Sequence, residues 1–521
     1  MKNTETIICR LICGFFVLAG AILSYYSLIE TVVITTNYEE YTILKDHPLR
    51  NLITIIILFA LLGLFTFIID GLISKRSIDL AKFEKYLFTA VFAVTSILSI
   101  IWAFQSDAFP RADGWYVAQY AEVTAKGIYP DFLLPQGYLY TYQNQLGLYI
   151  LMTLLFKLFG SMKFLSFTLF NALSYILLFA SSRGVVSAQD KRIVPKIYVD
   201  IFYPLFLPAF LYVGFIYQDI SALAFGMFGL WMICEYFESP RLKYVVLSFV
   251  GFLISAFIRN NLTIILIALA IYVLVTSLRQ KKFAPVLGFL AVFLAVFIGS
   301  SLPKWYLNSK FDAGLNGKVA YSTWIYMGLG DNEFGPGTYD GTNRQIIEDS
   351  EFDLDVASKK GNTMIKERVS EMTKEPLNTL DFFKRKLLIQ WNEPDCHAYY
   401  EVATAVYDPV SGIDKSKVNT IAYVFKNPTT IRYSRSLMNI FQLFTYVVLT
   451  IWAASYLFSK RATLRHLFLL MIADGGIVLT LLWEAKSRYV LPYMLILVCC
   501  LAIASADINE WIKSKIKTKL Q

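Results

Sequence analysis

Apolar residues in this chain gather into unbroken runs separated by short polar connections. Runs such as 51–73, 283–302 and 437–458 match the roughly 20 residues that a helix needs to cross about 30 Å of hydrocarbon. Barrel strands would alternate in polarity at every second residue, and these runs do not, so the pattern predicts helices. Twelve spans are predicted, at about 8–29, 51–73, 86–105, 164–182, 197–216, 219–238, 244–260, 262–278, 283–301, 437–458, 467–484 and 489–505.

The polar connections supply the orientation. With the N-terminus inside, Lys75, Arg76, Lys82 and Lys85 fall on the inner side, as do Arg183, Lys191, Arg192 and Lys196. Arg241 and Lys243, then Arg279, Lys281 and Lys282, then Lys460, Arg461 and Arg465, and finally the lysines of 513–519 follow them. Every predicted inner connection is basic, and both termini are placed in the cytoplasm. The apolar stretch 147–159 is left out of the count because a crossing there would turn every later basic loop outward. At about 13 residues, with Gly160 as a C-cap, it suits an interfacial or re-entrant helix; a short true span compensated elsewhere is the alternative.

Two outward segments, 105–144 and 303–435, are too long for simple connections, and function is sought there. The second carries glycine-rich turns in 328–341 and a charged helical stretch over 355–375, as a small α-rich outer domain would. The domain reading is therefore 1–85 as two accessory spans, 86–302 as a catalytic transmembrane module with outer loop 105–163, 303–435 as an extracytoplasmic domain, and 436–521 as C-terminal spans with a basic tail.

Composition agrees with a bilayer as solvent: of 521 residues, 56% are hydrophobic and 17% charged. The net charge of +9 is carried largely by the inner connections, so it calls for no nucleic-acid partner. Five of the six cysteines lie in or beside apolar runs and only Cys396 lies in a long polar region, which excludes a disulfide framework. Lys2 and Arg10 precede an apolar stretch that reaches about Ile29 without a clear cleavage site, as in an uncleaved first span.

Phosphate-binding loops, dinucleotide fingerprints, H-E-x-x-H and G-x-S-x-G are all absent. His47, His397 and His466 are the only histidines, so carboxylates are the stronger catalytic candidates. Asp113 precedes a helical stretch, 115–126, where it would serve as N-cap, as general base toward a hydroxyl, or as both. Asp107 is a second candidate in the same loop. Asp219 stands at an outer turn with almost no polar connection around it, a costly place for a charge unless it works or caps the next helix. Arg259 and the group Glu484, Lys486 and Arg488 lie at outer span ends, where the positive-inside bias predicts no cations. Cations there can hold a lipid phosphate; snorkelling, or an Arg488–Glu484 pair at i, i+4, is the plainer reading. Tyr138, Tyr140, Tyr142 and Trp391 are candidates for stacking on sugar faces or for anchoring at the interface.

These features together resemble the bacterial polytopic glycosyltransferases of the C-type fold, in the protein-mannosyltransferase-like family 39 group. The resemblance rests on Ala112-Asp113-Gly114, Ala121, the run from Gly137-Tyr138-Leu139-Tyr140 to Gln145-Leu146-Gly147, and Phe156-Lys157-Leu158-Phe159-Gly160. Asp219, Ile258-Arg259-Asn260-Asn261, Met327-Gly328-Leu329, Gln390-Trp391-Asn392-Glu393-Pro394 and Ser487-Arg488-Tyr489 extend it. It implies a bacterial plasma-membrane enzyme that moves a monosaccharide from a polyprenyl-phosphate carrier to a cell-envelope glycan or other acceptor on the outer face, with inversion. Asp113 would activate the acceptor, Asp219 and Asp107 would orient acceptor or loop, and Arg259, Lys486 and Arg488 would hold the donor phosphate. Some members bind a divalent metal through an additional acidic motif; this chain offers only Asp219 there, so no cofactor is expected to be required. A lipid-linked sugar transporter or flippase and a polysaccharide polymerase are the other classes open to the same outer cations and aromatics.

Overall fold

The computed structural model describes residues 2–35, 41–74, 79–128, 131–134, 136–315, 319–407, 420–459 and 462–520. Helices dominate it, as the uninterrupted apolar runs require. Eight are long and apolar enough to cross a membrane: Thr4–Ile29, Pro48–Phe65, Leu80–Gln105, Leu165–Gln189, Asp219–Glu238, Ala284–Phe311, Pro428–Leu457 and Ser487–Ser514. The chain is thus a multi-pass membrane protein of all-α class. Three shorter apolar helices, Leu242–Ile258, Thr263–Arg279 and Phe468–Leu482, stand among them. Ile193–Leu205 and Leu207–Gly214 form a broken pair bent by 56°, where Pro204 and Pro208 deny the ladder two N–H donors. Carbonyls freed beyond the break are not left bare. The Asn171 amide donates to the Phe215 oxygen at 2.7 Å and the Trp102 indole to that of Leu211 at 3.3 Å.

Close packing uses small residues. A Cβ on Gly251 would stand 2.8 Å from the Gly229 nitrogen, so Asp219–Glu238 and Leu242–Ile258 touch backbone to backbone. Ser255 and Ser248 donate across that seam to the carbonyls of Ala222, at 2.7 Å, and Gly229, at 3.0 Å.

The stretch 147–159 lies in a helix of 14 residues, Leu146–Phe159, shorter than a crossing. It packs against Asp113–Ala125, to which it is tied by the hydroxyls of Tyr149 and Thr124, 2.6 Å apart. The later polar segment folds into further helices, among them Tyr321–Gly328, Leu354–Lys374 and Pro376–Trp391. Asp353 caps the second of these through the amides of Asp355 and Val356, so the charged stretch is helical as its pattern predicts. A small core of Trp324, Met327, Ile346, Ile347 and Leu354 holds the segment together, with Tyr140 and Tyr142 of the first loop packed on it.

Residues 30–34 and 41–45 differ from an all-helical expectation. Glu30–Ile34 and Tyr41–Lys45 pair antiparallel with Val32 opposite Ile43. The β-branched run Thr31-Val32-Val33-Ile34 suits a strand, and Val32 and Ile34 are fully buried. Beneath the hairpin, Asn392 binds the N-terminal region into the body of the protein. It accepts from Ser27 Oγ at 2.6 Å, donates to the Glu30 carbonyl at 3.0 Å and receives the Val32 amide on its own carbonyl at 3.0 Å.

Candidate active site

The helix that carries Asp113 starts at that residue, two positions earlier than the pattern predicts. Ala112 is the N-cap, with φ of 44° and no side-chain cap, so Asp113 is not spent on capping. Asp113 itself is exposed. Gly114 sets this helix start against the neighbouring turn, since a Cβ there would meet the Ile216 carbonyl at 3.0 Å.

Around Asp113 stand phenols from three segments. The Tyr138 hydroxyl lies beside its carboxylate; burial pushes that phenol well above its usual range and Asp113 adds to the rise. Burial likewise raises Tyr142 and Tyr339, whose hydroxyls bond each other and feel the same carboxylate. A phenol held protonated beside a carboxylate can donate to it.

Tyr217 links Asp113 to the cations. Its hydroxyl accepts from the Gln145 amide, and burial, with Asp113 adding, pushes it up to about 12 against the opposing pull of Arg488 and Arg259. The guanidinium carbon of Arg488 lies 4.8 Å from the Tyr217 ring centre and that of Arg259 5.7 Å. Arg259 ends Leu242–Ile258 and pairs with Asp219, the first residue of the helix it packs on. Arg488 donates from Nη1 to Glu401 at 3.1 Å. Two buried atoms of this cluster, Arg488 Nε and Asp219 Oδ2, have no hydrogen-bond partner among the described residues. Orphans of that kind cost about 1–3 kcal/mol each, more for charged groups, unless a ligand satisfies them.

A cleft leaves this cluster toward the membrane interior. Asp219, Arg259 and Asn261 form its polar end, and Leu223, Met227, Leu262, Ile265, Leu491 and Ile496 line the rest. Charge is thus confined to one end of the cleft, and the rest of its lining is largely apolar.

Of the residues singled out in the sequence, Asp113, Tyr138, Tyr142, Asp219, Arg259 and Arg488 come together here. Lys486 is half-buried near Tyr489, at the rim. Arg488 does not pair with Glu484, four residues before it; Glu484 accepts the Tyr489 hydroxyl at 3.2 Å instead. Asp107, at φ of 44°, belongs to the base of the loop. There Lys426 donates to the Ser106 carbonyl at 2.6 Å, and burial lowers that amine to about 7 against the pull of Asp107. Tyr140 is half-buried against the small core of the later segment. Trp391 lies elsewhere: it is fully buried, and its indole donates to Thr480 Oγ1 at 2.9 Å, which leaves no face for a sugar.

Four further residues belong to the cluster. Tyr217 and Gln145 could have been found as polar neighbours of Asp219 and Gly147. Glu401 and His397 had only their i, i+4 spacing in a polar stretch to mark them. His397 is fully buried, 3.7 Å from Glu401, although the scarcity of histidines argues against a role for one. Among the described residues, no group of three or more His, Cys, Asp or Glu side chains is arranged to hold a metal ion. No family model matches the chain, and no curated protein matches it.

Proposed function

We propose that this protein is an inverting glycosyltransferase that takes a monosaccharide from a polyprenyl-phosphate carrier. The observation that carries the reading is the cleft with Arg259 and Asp219 at its head and Leu223, Met227, Leu262 and Ile496 along its length, linked to Asp113 through Tyr217. An apolar chain can lie along the apolar lining while its phosphate meets the Arg259 guanidinium.

Asp113 removes the proton of an acceptor hydroxyl, and the oxygen attacks the anomeric carbon. The bond from that carbon to the phosphate oxygen breaks, and polyprenyl phosphate leaves with the electron pair. Arg259 and Arg488, with Lys486 at the rim, stabilise the charge that grows on the leaving group. Tyr138 and Tyr142 line the acceptor side beside Asp113. The twelve-span topology with both termini inside, an extracytoplasmic segment 303–435, a bacterial plasma membrane, and kinship with the C-type, family 39-like enzymes are parts of the same proposal. The basic inner connections and the convergence of residues 113, 219, 259 and 488 on one site support them.

The test is sugar transfer from a panel of radiolabelled polyprenyl-phosphate monosaccharides to envelope extracts by purified protein, with Asp113→Asn beside the wild type. Loss of about 10²–10⁴-fold in a folded, donor-binding variant is expected. Unchanged transfer by the variant overturns the role of Asp113. No transfer by wild type from any donor moves the assignment to a lipid-linked sugar transporter or a polymerase.

A further inference from the structure

Behind the donor-side cations lies a buried acidic segment that the proposed chemistry does not use. Residues 393–397 read Glu-Pro-Asp-Cys-His, and Glu393, Asp395, Cys396 and His397 are all fully buried. Cys396 and His397 hold φ of 49° and 69°, two consecutive left-handed conformations without a glycine. Such backbone is retained where its surroundings over-determine it, most often at functional sites. This turn aims His397 at both halves of the site. On one side its ring lies 3.7 Å from Glu401, which in turn receives Arg488 at 3.1 Å. On the other it meets the Tyr400 ring edge-on with centres 4.8 Å apart. Arg111 covers that same ring at 3.8 Å and opens the turn into Asp113.

The charges of this inner cluster cancel: Arg259 and Arg488 face Asp219 and Glu401. Lys486 at the rim is matched by Glu484, and Asp113 beyond Tyr217 is offset by Arg111, whose guanidinium lies over the Tyr400 ring. A phosphodiester head would therefore add a negative charge to a site whose charges balance among the described residues, which favours uptake of a proton. The other groups facing His397 and Glu401 do not supply it. Tyr212 keeps its proton in a 2.6 Å bond to the Cys396 carbonyl, and burial pushes the Cys396 thiol up. Burial, with Asp395 adding, raises Glu393 well above the carboxylate range; burial acts on Asp395 also, but Arg435 at 2.5 Å overcomes it and holds that group low. That trio is neutral as it stands. Among the described groups this leaves the His397 imidazole, beside Glu401, as the proton acceptor.

We propose that Glu401 and His397 are positioning residues, Glu401 holding Arg488 and His397 taking up a proton when the site captures a lipid phosphodiester. The proposal rests on the lipid-phosphate reading above. Glu401 shares Arg488 in the empty site; protonated His397 draws Glu401 toward itself and frees the guanidinium for the ligand.

The experiment measures the Kd of a polyprenyl methyl phosphodiester, which carries one charge throughout, for the full chain in nanodiscs from pH 5.5 to 8.5. Wild type is expected to bind more weakly as pH rises, approaching about ten-fold per unit on the alkaline side. Glu401→Gln is expected to remove the slope and to bind at pH 8 as wild type does in acid. His397→Gln, which leaves the Arg488 ion pair intact, is expected to remove the slope and bind weakly throughout. Calorimetry of wild type in buffers of different ionisation enthalpy is expected to find close to one proton taken up. Binding without a pH slope in wild type, or a slope that survives in His397→Gln, overturns the proposal while the lipid-phosphate reading stands. No binding at any pH overturns that reading, and this one with it.

Discussion

Gly147 meets the backbone of Ile258 with no side chain between them: a Cβ at residue 147 would fall 2.5 Å from the Ile258 carbonyl oxygen and closer still to that of Phe257. This contact joins the helix after the tyrosine-rich loop to the end of the helix that delivers Arg259. Gly147→Ala must push the two apart. A destabilisation of about 1–3 kcal/mol is expected from overpacking, with loss of donor binding as Arg259 shifts. Unfolding in detergent and phosphodiester binding check it; a fully active, equally stable variant refutes the contact.

Arg259 and Asp219 should act as one unit. Arg259→Met leaves a carboxylate in a site largely closed to water, and a loss of about 3–5 kcal/mol is expected. Asp219→Asn in the same chain should recover much of that stability without recovering donor affinity. A double-mutant cycle measures it, and strictly additive losses would contradict the pairing.

Lys386 predicts a pH dependence. It is fully buried and donates to the Gly328 carbonyl and, at 2.6 Å, to that of Trp483. Burial lowers it from 10.5 to about 7, with Glu484 opposing. Between those values the unfolded chain binds more protons than the folded one, so stability rises as pH goes from about 7 to about 10.5. The gain is at most a few kcal/mol. Unfolding midpoints compared for wild type and Lys386→Met should show a smaller rise in the variant, because Lys426, lowered to about 7 in the same way, remains.

Asn392→Ala removes the side chain that accepts from Ser27 and donates to Glu30. A loss of about 1–3 kcal/mol is expected, together with faster hydrogen exchange at Val32, whose amide donates to the Asn392 carbonyl. Exchange at Val32 that matches wild type would show that the hairpin is held by other means.

Much of the site is legible in the chain itself, because charges at the ends of apolar helices are expensive and therefore conspicuous. Asp219, Arg259 and Arg488 stand out on that ground alone. Trp391 misleads for the same kind of reason: it follows a polar stretch, yet the chain folds back and buries it against Thr480. The strand pair of 30–34 and 41–45 escapes because it is short and follows a long apolar helix whose pattern dominates the window.

Apolar run length by itself determined the helices, since a backbone in lipid must satisfy its own hydrogen bonds and can do so locally. Each of the twelve predicted spans coincides with one of the eight long helices, the bent pair or the three shorter ones. Only the tertiary structure decided which charges meet. Arg488 reaches Glu401 from 87 residues away and Gln145 reaches Tyr217 from 72. Such partners are chosen by the packing of whole helices, through contacts like Gly147 on Ile258, and no local pattern in the chain encodes them.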